Sequence, residues 1–124
     1  MADRTFHLPE GSLENRMVEL YAEITFGAAG AVSASSGKGI ASVTRDALGE
    51  YTIAFTDRFP AFMAASFDYE TTETNAGWAC TQSEAVDTAT PSLTFRTNDA
   101  AGAKADPASG ETLRVCIKLK NSSI

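Results

Sequence analysis

A strict alternation of apolar and polar residues near the C-terminus constrains this chain more than any other feature. Four apolar residues alternate there with a cysteine and three cationic residues: Leu113, Arg114, Val115, Cys116, Ile117, Lys118, Leu119 and Lys120. Successive side chains of a β-strand point to opposite faces of a sheet, so a period of two residues indicates a strand. The sequence therefore predicts a core strand with one apolar and one cationic face, and partner strands in the segments before it.

A second clear strand begins at residue 17, where every other residue is apolar: Val18, Leu20, Ala22, Ile24 and Phe26. The glycine-rich residues 27–40 predict a long loop with a short strand near residues 31–34. Residues 40–45 and 51–56 both alternate and are separated by turn residues 46–50, which predicts a β-hairpin.

The middle of the chain is less regular. Residues 58–64 (RFPAFMA) are apolar without alternation, and Phe59, Phe62 and Met63 have helical spacing, so we predict one helical turn that closes an end of the core. Further strands are predicted at residues 65–71, 78–83 and 93–97, with a loop at 71–77 and a polar connection at 84–91. The link at residues 98–111 is too long for a tight hairpin and too polar to be buried.

These segments define the expected fold class. About seven short strands recur at roughly ten-residue intervals, and no helical pattern exceeds one turn. We predict an all-β fold, an antiparallel β-sandwich or jelly roll, because a parallel sheet needs crossover helices.

Length and charge exclude several classes of protein. A chain of 124 residues suits one domain, which we place at residues 17–124. Ten Lys and Arg residues against sixteen Asp and Glu residues give a net charge of -6, without the basic footprint of a nucleic-acid-binding protein. No apolar run approaches the roughly 18 residues of a membrane span, and the first residues lack a signal-peptide core. We expect a protein made and used in the cytoplasm, or in something assembled there.

The N-terminal arm, residues 1–16, mixes charged residues with Pro9 and Gly11 and has no hydrophobic periodicity. It nevertheless contains Phe6, Leu8 and Leu13, which are our candidate partner-binding residues. Two interpretations stay open: a disordered terminus, or an extended segment that orders only when it docks on this subunit or on a neighbour.

The sequence offers no complete catalytic, cofactor or metal motif. Residues 30–39 resemble a phosphate-binding loop, but its spacing is six residues instead of four, and Lys38 precedes a glycine instead of Ser or Thr. His7, the single histidine, lies in the arm and is a poor candidate for a Ser-His-Asp triad. A calcium site or a carboxylate pair at Asp68, Glu70 and Glu73 is an alternative to an ordinary solvated strand face, which we favour.

The cysteines and aromatic residues leave two further alternatives. Cys80 and Cys116 lack a metal-binding spacing, so they are interpreted as free thiols, with a disulfide between two strands as the alternative. A carbohydrate-binding module would need exposed stacking groups, for which Trp78, Tyr69 and Tyr21 are the candidates. A tryptophan in a strand more often packs in the core, which argues against that function.

Several strand and turn patterns resemble those of small tailed-bacteriophage virion proteins that decorate or cement the head shell. They are KGIASVTR leading into the hairpin with GEYTIAF, the loop AGAKADPASGE, and the last strand ending in NSSI. The similarity covers most of the chain from residue 17 onward, and its motifs are structural instead of catalytic.

The resemblance implies an all-β protein without enzymatic activity that binds the outer surface of the phage head in many copies. Its partners would be the major capsid protein, whose subunits it bridges, and further copies of itself in a dimer or trimer. A tail or neck component of the particle is the alternative, because such components also use small β-sandwiches.

Overall fold

The computed structural model describes residues 17–71 and 77–121, which form two four-stranded antiparallel sheets. The strands, numbered in chain order, are β1 (Met17–Phe26), β2 (Val32–Ser36), β3 (Ile40–Ala47), β4 (Glu50–Phe55), β5 (Ala61–Glu70), β6 (Gly77–Ala85), β7 (Ser92–Asp99) and β8 (Thr112–Lys120). A 3-10 turn at Ala28–Gly30 is the one helical element of the described residues. The all-β sandwich is confirmed, with eight strands where about seven were expected. The arm lies outside the described residues, as do residues 72–76 of the predicted loop at 71–77.

Each sheet combines strands from both halves of the chain. Sheet I has the order β2-β1-β8-β5, and sheet II has the order β3-β4-β7-β6. The last strand, β8, lies between β1 and β5 and is therefore a central strand, as its alternation predicted. Its register with β1 runs without interruption from Met17 opposite Lys120 to Thr25 opposite Thr112.

The core lies between the two sheets and contains the apolar half of each alternating strand. The fully buried residues come mainly from four strands: Ala22, Ile24 and Phe26 of β1, Tyr51 and Ile53 of β4, Leu93 and Phe95 of β7, and Leu113, Val115, Ile117 and Leu119 of β8. Burying one such side chain stabilises the fold by about 1.5 to 3 kcal/mol before entropy is subtracted. The Tyr51 ring lies at the centre of this layer, 5.2 Å from Phe26 and 5.4 Å from Phe95 between ring centroids.

The predicted hairpin is confirmed: β3 is two residues longer than expected, and β4 has the expected length and begins one residue earlier. β3 and β4 pair from Ile40 opposite Phe55 to Ala47 opposite Glu50, which leaves only Leu48 and Gly49 in the turn. Gly49 has a φ of 65°, and a Cβ there would lie 2.8 Å from the carbonyl oxygen of Thr97. A glycine is therefore required at this position by both conformation and space.

The helical turn predicted at residues 58–64 is wrong. From Ala61 onward the chain belongs to β5 and pairs with β8, Ala61 with Lys120 and Phe62 with Leu119. A β-bulge between Phe62 and Ala64 inserts one extra residue, which breaks the alternation and imitates helical spacing in the sequence. Phe59 does close this end of the core: it is buried, and its ring lies edge-on to Phe55 at 6.4 Å.

The link between β7 and β8 was correctly expected to be no tight hairpin, because it crosses from sheet II to sheet I. The expectation that it is too polar to be buried is wrong at both ends, since Asn98 and Glu111 are 3% and 4% exposed. Both side chains have hydrogen-bond partners. Asn98 accepts from Arg96 at 2.7 Å, and Glu111 accepts from the Tyr69 hydroxyl at 2.7 Å and from the Ala108 N–H at 2.9 Å. Partnered polar groups can be buried at modest cost.

Candidate functional site

The three predicted partner-binding residues, Phe6, Leu8 and Leu13, lie outside the described residues, but the point where the arm joins the domain is defined. Met17 pairs with Lys120, so both ends of the described chain meet at one end of sheet I. We call this the open pole; it also holds the β4–β5 connection around Phe59 and the β6–β7 connection around Val86. The Phe59 N–H donates to the Val86 carbonyl at 3.0 Å, which ties these two connections together.

The opposite end, the closed pole, is covered by the β7–β8 link. Asp106 of that link accepts hydrogen bonds from Arg45 at 2.7 and 3.2 Å and from the Gly49 N–H at 2.9 Å. Partial burial acts to raise the pKa of Asp106, but these hydrogen bonds outweigh it and hold the pKa below its ordinary value. Nearby, the Tyr51 hydroxyl donates to the Gly30 carbonyl at 2.6 Å, and burial raises the pKa of Tyr51 to about 12.

A cleft of about 420 Å³ lies at the closed pole and contains three carboxylates and a tyrosine. These are residue types that occur in catalytic sites. Each carboxylate there organises backbone: Asp99 accepts from the N–H groups of Ala101 and Ala103, Glu111 from that of Ala108, and Asp106 from that of Gly49. Burial, followed by the hydrogen bond to Glu111, raises the pKa of Tyr69 well above its ordinary value. This chemistry favours a structural role for the cleft.

The outer face of sheet I carries an ion-pair network across three strands. Arg114 of β8 contacts Glu23 of β1 at 3.0 Å and Glu70 of β5 at 2.6 Å. Of the suggested acidic cluster, Glu70 is thus an ion-pair partner, Asp68 is exposed on the same face, and Glu73 lies outside the described residues. Among residues 17–71 and 77–121, no group of three His, Cys, Asp or Glu side chains is placed to hold a metal ion.

The same face contains a groove that sequence reasoning missed. It has a volume of about 510 Å³ and crosses the sheet between Tyr21, Cys116 and Ser66, which are opposite one another in the register of β1, β8 and β5. The signal lay in the small size of Ser66 and Cys116 beside the large Tyr21, but only the strand order places them in one row.

The three candidate stacking residues do not form a common platform. Trp78 is 45% exposed on the outer face of sheet II, so the expectation that it belongs to the core is wrong. Trp78 belongs to the edge strand β6, where it is opposite Asn98 of β7. It is two residues from Cys80, which is opposite Arg96, so both side chains point to the outer face. Tyr21 is 61% exposed on sheet I, whereas Tyr69 is partly buried against Glu111.

Cys80 and Cys116 are both free, which confirms the main interpretation of the cysteines. Cys80 belongs to sheet II and Cys116 to sheet I, and both side chains alternate toward the outer faces. Two thiols on opposite outer faces of a sandwich are too far apart for a disulfide.

Comparisons with protein-family models, with curated proteins and with solved structures gave no significant match to this chain. In the described ranges, no helix is long and apolar enough to cross a membrane. The class defined by the structure is therefore an all-β sandwich, and the family suggested by the sequence patterns stays a prediction.

Proposed function

We propose that this protein is a structural virion protein of the head-decoration type, which binds the outer surface of a phage head and bridges major capsid protein subunits. The observation that carries the proposal is the pairing of Met17 with Lys120, which makes the arm leave the domain at the open pole. Sixteen residues in extended form reach about 50 Å, farther than the roughly 33 Å of the ten-residue strand β1, so the arm is able to contact a neighbouring subunit.

The distribution of polar groups supports binding over catalysis. The carboxylates of the closed pole hold turns, and Arg114 is paired with both Glu23 and Glu70 on sheet I. A domain whose polar groups serve its own loops and ion pairs is suited to rigid presentation of a surface.

Repetition on a shell explains how such a domain stabilises a particle. Each copy makes a modest contact, but many copies on one closed surface act together, because each bound copy holds the next contact at high effective concentration. Copies in dimers or trimers would add to this effect. The net charge of -6 would help to keep decorated heads apart after assembly in the host cytoplasm.

The proposal is tested by mixing purified protein with heads that lack it, sedimenting the particles and imaging them by electron microscopy. Saturable density on the head lattice is expected. Density confined to the tail would move the protein to the alternative class of tail or neck components, and absence of co-sedimentation would refute both.

The arm is tested in the same assay by deleting residues 1–12. Because the described sandwich begins at Met17, the truncated chain should keep its circular dichroism spectrum and lose binding to heads. As a matched control, residues 1–12 are replaced by a Gly-Ser segment of the same length. This variant shows whether binding depends on the sequence of the arm or only on its length. Binding that survives both changes would refute a role of the arm.

A second candidate function, carbohydrate binding, is favoured by the exposure of Trp78. Its ring lies on a face that also carries the Arg96 guanidinium and the Gln82 amide, groups that can hydrogen-bond sugar hydroxyls. Binding to a glycan array that disappears in Trp78→Ala and persists in Tyr21→Ala would support it. No glycan binding by the intact protein would exclude it.

A further inference from the structure

The groove on the outer face of sheet I has a defined shape that suggests what it binds. It runs across all four strands, and its lining includes Gly37 after β2, Tyr21 on β1, Cys116 on β8, and Ser66 and Asp68 on β5. Its volume of about 510 Å³ lies in the range of about 300 to 1,000 Å³ that is usual for binding pockets. The floor consists of the small side chains of Cys116 and Ser66.

The two walls of the groove are planar groups. On one side, the Tyr21 hydroxyl donates to Glu19 at 2.5 Å, which lays the exposed ring along β1. On the other side, the Arg114 guanidinium is held by Glu23 and Glu70. Together with the small side chains of Cys116 and Ser66, this aromatic ring and this guanidinium line a slot that suits an aromatic or branched apolar side chain.

One end of the groove carries an unbalanced negative charge. Asp68 lies opposite Arg114 in the register of β5 and β8, but the guanidinium is directed to Glu23 and Glu70 instead. Among the described residues, Asp68 makes no hydrogen bond or ion pair. The groove is therefore suited to an apolar segment that carries a cation at one end.

We propose that this groove binds the N-terminal arm of a second copy of the chain. β1 runs from Met17 at the open pole into the sheet, so an arm that continued the line of β1 would lead away from the domain and would have to turn back to reach the groove of its own copy. A reach of about 50 Å takes the arm to the corresponding groove of a neighbour instead.

The arm sequence matches the groove in spacing and charge. Arg4, Phe6 and Leu8 alternate with other residues, so an extended arm presents all three on one side. They span about 13 Å, and the groove crosses three inter-strand spacings, about 14 Å. Phe6 then occupies the slot, and Arg4 meets Asp68. Leu13 has the opposite parity, so in an extended arm it would face away from the groove.

This inference deepens the proposed function, because it names the surface that binds the arm. It rests on the proposed function only for the location of this contact on the phage head. A contact from arm to groove joins different surfaces of two copies, so repetition forms a ring where the rotation between copies closes. A closed ring of two or three copies would match the dimer or trimer that the sequence resemblance implies.

Cys116, in the floor of the groove, provides the test. In full-length protein with Cys80→Ser, the alkylation rate of Cys116 by a maleimide is measured over a range of protein concentrations. Docking of a second copy's arm should slow the reaction as concentration rises, by about fourfold when the total concentration is ten times the dissociation constant, because each copy supplies one arm and one groove and free arms are not in excess. Phe6→Ser in the same background should abolish the protection, and Leu13→Ser, the matched control, should retain it.

The reciprocal variant, Cys116→Ser, reports on Cys80 on the other sheet, whose alkylation should not depend on concentration or on Phe6. An unprotected Cys116 at every concentration would overturn the inference. Protection that needs Phe6 but is independent of concentration would also overturn it, because the chain's own arm would then fill the groove. Neither result bears on binding to heads, which the sedimentation assay measures separately.

Discussion

Arg45 and Asp106 are 61 positions apart in the sequence, yet they form a two-point ion pair, with 2.7 Å between Nη2 and Oδ2 and 3.2 Å between Nε and Oδ1. The pair joins the end of β3 in sheet II to the link that leads into β8 in sheet I. Asp106 also accepts the Gly49 N–H and packs against Gly30, so one carboxylate fastens the hairpin turn and the β1–β2 connection to the same loop.

Removal of this carboxylate should destabilise the fold. Asp106→Ala deletes three hydrogen bonds and leaves the Gly49 N–H without its acceptor, a loss we expect to lower the free energy of unfolding by about 1 to 3 kcal/mol. Urea denaturation measures it. Asp87→Ala is the matched control, because the Arg58–Asp87 pair is exposed on both sides and should contribute about 0 to 1 kcal/mol. Equal effects of the two changes would contradict the fastening role of Asp106.

The same carboxylate predicts an acid-dependent loss of stability. Because the pKa of Asp106 is lower in the folded than in the unfolded protein, the folded state binds fewer protons, and stability falls as the pH drops from about the unfolded value of 3.8 through the folded pKa. Above that range the contribution is complete. Unfolding free energies measured between pH 2 and 7 should show a shallower acid decline in Asp106→Asn than in the wild type. If the unfolding free energies of Asp106→Asn and the wild type declined equally with falling pH, Asp106 would not be a source of the acid-dependent loss of stability.

The tyrosines predict a matching loss of stability in alkali. The hydrogen bond to Glu19 raises the pKa of Tyr21 to about 12, burial raises that of Tyr51 to about 12, and burial also raises that of Tyr69. A raised pKa means that the folded state holds its proton longer, so stability is complete below pH 10 and is lost as the pH rises toward 12. Phenolate absorbance should show delayed titration that returns to the ordinary range in urea. These three are all the tyrosines of the chain, so Tyr51→Phe should lower the amplitude of the delayed titration. A phenol that titrates near pH 10 in the wild type and disappears in Tyr51→Phe would contradict the assignment.

Gly37, where the chain leaves β2 for β3, should not tolerate a side chain. Its φ is 147°, and a Cβ would lie 2.2 Å from the Tyr21 carbonyl oxygen, so Gly37→Ala has to shift the backbone of β1. We expect a destabilisation of more than about 1 kcal/mol by urea denaturation. Gly27→Ala is the control, because its φ of -109° is ordinary and its nearest contact is 3.4 Å; it should change stability by less than about 0.5 kcal/mol. Similar costs at both positions would refute the argument from space.

Local alternation was sufficient to predict β1, β8 and the β3–β4 hairpin. In β1, β4 and β8 alternate residues are buried, at least in part of the strand. β3 is mostly exposed, and the turn residues that join it to β4 supported its prediction. Prediction from alternation failed where a bulge interrupts the pattern, and where the pattern does not show which face of the strand is buried. The bulge after Phe62 imitated a helix, and Trp78, on an edge strand, is outward because of its parity with Cys80, which only the pairing with β7 reveals.

The candidate site was even less accessible to sequence reasoning. The arm and its apolar residues stood out by composition, but the groove combines residues of β1, β5, β8 and the end of β2, so no single segment of the sequence contains it. Likewise, nothing in the sequence near Arg45 or Asp106 indicates that the two residues form an ion pair. Both the groove and the ion pair depend on the order of the strands in the sheets, which local residue propensities do not encode.

The pairing of Met17 with Lys120 has a practical consequence for engineering. A cargo fused behind the last strand would emerge beside the arm and compete with it for space. The proximity of Met17 and Lys120 also means that, once residues 1–16 and 121–124 are removed, a short peptide can join these two positions. New ends can then be opened in the exposed turn at Ala100 and Ala101, so that cargo is displayed at the closed pole of a domain without its arm.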